Sequence, residues 1–174
     1  MPSPMPNTAY NASQKKKRIS NIAGILSLFL ILLIDQVSKS VIVSRLALGQ
    51  SIPIIKNVLH ITFIKNTGAA FGLFKNSTYF FIAVSVIAVI LIGIVLVNSA
   101  GKGSFSEKFL FHYSLILIMA GALGNLIDRI SLKYVIDFID FRIWPVFNIA
   151  DSSITIGTAL LIISFTRFDN KINV

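Results

Sequence analysis

The chain contains no cysteine, and only seven of its 174 residues are acidic. Without cysteine there is no disulfide, no thiol nucleophile, no thiolate metal site and no thioether lipid anchor on the chain itself. Histidine occurs only as His60 and His112, and there is no H-E-x-x-H motif, so zinc-hydrolase chemistry is not expected. Charge of either sign is scarce: 13% of residues are charged and 55% hydrophobic, with a mean hydropathy of +0.80. Soluble globular domains carry about a quarter charged residues, so this composition indicates an integral membrane protein.

The net charge of +9 and pI near 10.1 come from basic residues scattered around apolar segments, with Lys15 to Arg18 as the only run. That distribution suits lipid headgroups and the setting of topology rather than nucleic acid, and membrane lipids are the expected contact.

Residues 1–18, with Pro2, Pro4, Pro6 and the KKKR run, have the composition of a disordered basic tail. No A-x-A cleavage site follows the first apolar run, which is therefore expected to remain as a helix. Four apolar blocks predict spans at about 19–43, 78–97, 109–127 and 147–165 within one domain, 19–168, followed by a tail at 169–174. The first block, at ~1.5 Å per residue, exceeds the ~30 Å hydrocarbon layer. The second carries no charge and is expected to face lipid; the third contains GALGN, whose small residues permit close helix packing. Alternating residues around 58–65 predict a short sheet, and YVIDFIDFRIWPVF a second extended piece. The fold class expected is an all-α membrane protein: four transmembrane helices with a small extracytoplasmic region of β-sheet and loop.

Four spans put both termini on one side, and the KKKR cluster beside the first helix assigns that side to the cytoplasm. Asp35, Asp128, Asp137, Asp140 and Asp151 then lie toward the outer face, and Glu107 and Asp169 toward the inner one.

Four of the seven acids fall within 121–153. Intramembrane acids are costly unless they face a protein interior or a wet cavity, which makes them functional candidates. A tetrapeptide recurs there, NLID at 125–128 and NIAD at 148–151. Residues three apart share a helix face, so each asparagine is placed to orient its acid or a common partner.

A catalytic carboxyl pair needs one proton between two groups in a poorly solvated site, and a neighbouring cation opposes this. Asp35 has Lys39 four residues on, Asp140 has Arg142 along the same strand face, and Asp128 adjoins Arg129, although helix neighbours do not face each other. Asp137 sits in an otherwise uncharged row, and Asp151 has no basic residue within eight positions. Partner logic thus selects Asp137 and Asp151, with Asp128 third.

DQVSK (35–39), NTGAAFG (66–72), GALGNLIDR (121–129), VIDFID (135–140) and FNIADSS (147–153), in this order on a four-span chain, closely resemble the bacterial lipoprotein signal peptidases, signal peptidase II. The resemblance covers roughly residues 22–166. It implies an aspartyl endopeptidase of the cytoplasmic membrane that cleaves prolipoproteins just before a diacylglyceryl-modified cysteine. It also implies that Asp137 and Asp151 are catalytic, with Asp35, Lys39, Asn66, Gly68, Asn125, Asp128, Arg129 and Asn148 supporting the site or the substrate. No cofactor or metal is implied, the partners are prolipoproteins and membrane lipids, and a monomer is expected. The 66–72 loop, with Gly68 and Gly72, is placed to line or cover the groove.

Bland readings exist for each residue: a holding ion pair for Asp35 and Lys39, interhelical bonding for Asn125 and Asn148, a snorkelling or salt-bridged Arg129, and an interfacial anchor in Trp144. A proton-coupled transporter is the rival class, and it predicts acids near the midplane with broken helices there. A non-enzymatic assembly subunit would tolerate loss of charge at Asp137 and Asp151.

Overall fold

The computed structural model describes residues 7–68, 77–99 and 105–172. In chain order its elements are α1 (Asn7–Arg45), β1 (Ser51–Ile55), β2 (Leu59–Asn66), α2 (Thr78–Ser99), α3 (Phe105–Leu132), β3 (Val135–Asp140) and α4 (Ile149–Ile172). Among the described residues, four stretches are long and apolar enough to cross a membrane: Ile22–Arg45, Thr78–Ser99, Phe109–Leu132 and Ile149–Thr166.

Two boundaries differ from the sequence reading. Helix α1 begins at Asn7 and runs through residues expected to be disordered. The prolines that suggested disorder all precede it, and nothing from Asn7 to Arg45 breaks a helix. Helix α3 continues past residue 127 to Leu132, which puts Asp128 and Arg129 on its last turns, and it ends in Lys133 at a φ of 69°. The hydroxyl of Thr78 donates to the Lys133 carbonyl at 2.8 Å, tying the start of α2 to this end of α3.

Helices α3 and α4 pack closely because their contact is lined by small residues. A Cβ on Gly124 would stand 2.7 Å from Asp35 Oδ2 and 3.1 Å from Ala150 Cβ, and one on Gly121 would run into the Ala150 carbonyl oxygen. Ser153 adds a hydroxyl bond to the Leu117 carbonyl at 2.8 Å. Helix α2, buried only at Thr78 among its described residues, lies on the outside of the bundle, as its uncharged sequence predicts.

The sheet has the order β1-β2-β3, antiparallel throughout. The extended piece anticipated between the third and fourth spans supplies β3, and Phe147 bridges to Ile139 on its far side. One face of the sheet closes on the C-terminal end of α1 through a core of Ile42, Leu46, Phe63, Ile136 and Phe138. That packing fixes the height of β3 against the bundle, and with it the height of Asp137.

Candidate active site

Asp151 stands in the first turn of α4, and the NIAD tetrapeptide forms its cap. Asn148 Oδ1 accepts the backbone N–H of Asp151 at 2.9 Å, while Asp151 Oδ2 accepts the backbone N–H of Asn148 at 3.2 Å. This reciprocal arrangement is a capping box, with asparagine and aspartate in the places of serine and glutamate. A third orphan N–H of the same turn, that of Ala150, donates to Asp35 Oδ1 at 2.9 Å. Asp35 therefore reaches from the first span to hold the start of the fourth.

Asp137 lies on β3 with 2% of its surface exposed. Its Oδ1 accepts from Asn148 Nδ2 at 2.7 Å, and its Oδ2 from Asn66 Nδ2 at 2.9 Å. Asp151 Oδ1 accepts from Asn125 Nδ2 at 2.7 Å. Asn148 Nδ2 also reaches Asn125 Oδ1 at 3.0 Å, so the two carboxylates meet around a pair of linked amides. Neither carboxylate forms a salt bridge among the described residues, where the ion pairs are those of Lys39 and Arg142.

Behind the amides, Lys39 is 1% exposed and completely engaged. Its Nζ lies 2.8 Å from Asp35 Oδ2 and 2.9 Å from Asp128 Oδ2, and it donates to Asn125 Oδ1 at 3.1 Å. An ammonium has three protons, and each is used. Asp128 also accepts the Ile136 backbone N–H at 3.1 Å, which fastens β3 to α3. Asp128 is thus occupied structurally, and the ambiguity left by its neighbour Arg129 is resolved by direction: Arg129 points away, over the Phe81 ring at 5.1 Å.

Burial pushes the Asp137 carboxyl up to about 7, and the negative charge of Asp151 adds to the rise. The hydrogen bonds from Asn66 and Asn148 and the charge of Lys39 oppose it. Asp140, three residues along the strand, shifts the other way. Burial would raise it, but bonds from Thr62 at 2.7 Å and Arg142 at 3.0 Å hold it below the usual range.

All the sequence-selected residues join this one hydrogen-bonded network, with Gly68 and Arg129 at its margin. Gly68 is buried at its edge, its N–H donating to Asn66 Oδ1 at 3.0 Å and its carbonyl facing Arg129 Nη2 at 3.5 Å. The anticipated cover at 66–72 falls mostly at positions 69–72, outside the described residues. Of the two arrangements the tetrapeptides allowed, the structure has the common partner: Asn125 and Asn148 both bond to Asp151. NLID lies within α3, where Asn125 and Asp128 meet through Lys39 rather than bonding each other, whereas NIAD starts a helix and closes on itself. Gln36 was missed. Its Nε2 donates to Asp35 Oδ2 at 3.1 Å, Asp128 Oδ1 at 3.1 Å and the Gly124 carbonyl at 3.2 Å. An amide between an acid and a lysine on an apolar helix was the available signal.

The family described as signal peptidase (SPase) II matches residues 27–167. A lipoprotein signal peptidase from Halothermothrix orenii is 46% identical over 134 residues, which cover 77% of this chain and 88% of the relative. One from Clostridioides difficile is 42% identical over 149 residues, covering 84% of this chain and 97% of the relative. A bacterial membrane enzyme solved by the in meso method at 2.3 Å superposes with a TM-score of 0.74 at 37% identity, over 83% of this chain and 88% of that one.

Proposed function

This chain belongs to the signal peptidase II family, and from that premise we propose that Asp137 and Asp151 are the reacting pair of its aspartic endopeptidase. The family is a bacterial membrane enzyme that removes the signal peptide from prolipoproteins, and the bond cut is the one before the diacylglyceryl-modified cysteine. The observation that carries the assignment is that both carboxylates hydrogen-bond to Asn148 while, among the described residues, no basic side chain bonds to either.

Two such acids hydrolyse a peptide by dividing labour. The ionised carboxylate takes a proton from water as its oxygen attacks the scissile carbonyl carbon, and the protonated carboxyl donates to the carbonyl oxygen. Collapse of the resulting diol returns a proton to the departing amine, so no covalent enzyme intermediate forms. The shared proton belongs to the pair rather than to one residue. Asn148 orients both acids, Asn66 and Asn125 each fix one oxygen, and the Asp35–Lys39–Asp128 cluster holds the surrounding backbone. Arg129 and Gly68, at the rim, are assigned to the substrate.

The KKKR cluster supports a topology with both termini in the cytoplasm and the pair near the outer boundary of the cytoplasmic membrane. Position within the elements supports this depth: Asp151 occupies the first turn of a span and Asp137 a strand outside the spans, whereas a transporter calls for acids at mid-membrane. The deciding experiment is cleavage of a lipidated prolipoprotein by purified, folded Asp137→Asn and Asp151→Asn variants. Both should be inactive, and full turnover by either one removes that residue from the pair.

A further inference from the structure

Among the described residues, one buried side-chain nitrogen has no hydrogen-bond partner: Nε2 of His60, on β2. Buried polar atoms are nearly always paired, and this one belongs to a ring whose other nitrogen starts an unbroken series of bonds. His60 Nδ1 stands 3.0 Å from Ser51 Oγ on β1, and Ser51 Oγ stands 2.8 Å from Thr62 Oγ1 on β2. Thr62 in turn donates to Asp140 Oδ2 on β3 at 2.7 Å, so the series crosses all three strands.

Counting protons gives the series a direction. A carboxylate only accepts, so the single hydroxyl proton of Thr62 goes to Asp140. Ser51 then gives its own proton to Thr62, and its oxygen, with nothing left to donate, accepts from an N–H on His60 Nδ1. In a neutral imidazole that leaves Nε2 without a proton, and Nε2 is the nitrogen found without a partner. At the other end, Asp140 Oδ1 accepts the Arg142 backbone N–H at 2.8 Å, and Arg142 has a φ of 66°, a left-handed conformation uncommon outside glycine. Asp140 thus secures the turn that ends β3. The chain then doubles back, Phe147 bridges to Ile139, and Asn148 follows with its amide 2.7 Å from Asp137.

We propose that His60, as the Nδ1–H tautomer, is a positioning residue for the carboxylate pair, acting through Ser51 and Thr62 on Asp140 and so on the turn that joins Asp137 to Asn148. His60 bonds to neither acid, and its influence is on where Asn148 stands relative to β3. Its effect on cleavage rests on the assignment of Asp137 and Asp151, whereas its tautomer does not.

The first arm of the test is nitrogen NMR of the full chain in detergent micelles, labelled at its two histidines and kept mildly alkaline. The His60 signals are those that vanish in His60→Asn. Nδ1 should carry the proton and Nε2 should not, and a proton on Nε2 overturns the assignment. The second arm is cleavage of a lipidated prolipoprotein. An asparagine amide sits near the place of Nδ1 and a glutamine amide near that of Nε2, so only the first can replace the N–H that Ser51 needs. His60→Asn should keep kcat within about twofold of the parent, while His60→Gln and Ser51→Ala each lower it at least about fivefold with KM within about twofold. Both changes break one series, so the double variant should be no slower than the slower single one. Ser51 is exposed on an edge strand, so Ser51→Ala carries the test even where a histidine variant fails to fold. Equal rates for the asparagine and glutamine variants, an unaffected Ser51→Ala, or losses that multiply in the double variant would each overturn the proposal. The tautomer and the coupling are read with both aspartates in place, so they succeed or fail whether or not Asp137→Asn is active.

Discussion

Asn148 holds Asp137 by a 2.7 Å bond from Nδ2 to Oδ1, and the same side chain accepts the backbone N–H of Asp151 at 2.9 Å. One residue therefore caps a membrane helix and spaces the two carboxylates. The tasks can be separated. Serine caps as well as asparagine but carries no amide to reach across to β3. Asn148→Ser should keep thermal stability within about 1 kcal/mol of the parent while kcat/KM falls at least ~10-fold. Asn148→Ala should lose the cap as well, costing roughly another 1 kcal/mol. Melting curves in detergent and cleavage of a lipidated substrate measure both, and unimpaired cleavage by the serine variant would show that the Asp137 bond is dispensable.

The elevated Asp137 carboxyl sets a pH dependence. A pair that works with one proton loses activity as that proton leaves, so kcat/KM should fall as pH rises through about 7. The Asn66 bond lowers Asp137, so Asn66→Ala should move this alkaline limb to higher pH. Stability follows the same sign. The folded value lies above the ordinary 3.8, so the contribution is complete below 3.8 and is lost as pH rises through about 7. Asp137→Asn removes that loss and should be more stable than the parent at pH 8, by up to about 4 kcal/mol, but not at pH 4. A parent enzyme with a flat profile between pH 6 and 9 would contradict the argument.

Much of this site was legible because membrane sequences spend so few charges. With seven acids in the chain, the lack of a basic residue in the strand row of Asp137 or within eight positions of Asp151 was visible without coordinates, and so was the Asp35–Lys39 pair, which forms at 2.8 Å. The directions of the asparagines were not legible. NLID and NIAD read alike, but one sits within a helix and the other starts one, so their side chains meet different backbone groups. The third strand depended on tertiary pairing of β3 with β2, which local alternation leaves open. Gln36 escaped notice because an amide carries no charge to draw attention in a hydrophobic run.

Lys39 and Asp128 should behave as structure rather than chemistry. Lys39→Met leaves Asp35 and Asp128 buried without their cation, a loss of roughly 3–5 kcal/mol, and the protein should fail to accumulate. Asp128→Asn keeps the shape and leaves Lys39 paired with Asp35, so its cost should be nearer ~1–3 kcal/mol. Its cleavage rate, measured on folded protein, should remain within about tenfold of the parent, far above that of Asp137→Asn. Complete inactivity in well-folded Asp128→Asn would transfer a chemical role to that residue.

The small residues between α3 and α4 provide the sharpest contrast between neighbouring substitutions. An added methyl on Gly121 meets the Ala150 carbonyl oxygen, which is backbone and cannot turn aside. Gly121→Ala must therefore push the first turn of α4 away from α3, and Asp151 rides on that turn. The expected result is a loss of about 1–3 kcal/mol together with a fall in kcat/KM, since the carboxylates no longer share their amides. Gly24→Ala meets only the flexible end of Ile116 at 2.6 Å, and Gly93→Ala meets nothing within 4 Å. The first should cost little, and the second should gain up to about 1 kcal/mol from helix propensity, with cleavage unchanged in both. If Gly121→Ala cleaves as fast as Gly93→Ala, the tight seam between α3 and α4 is not what places Asp151.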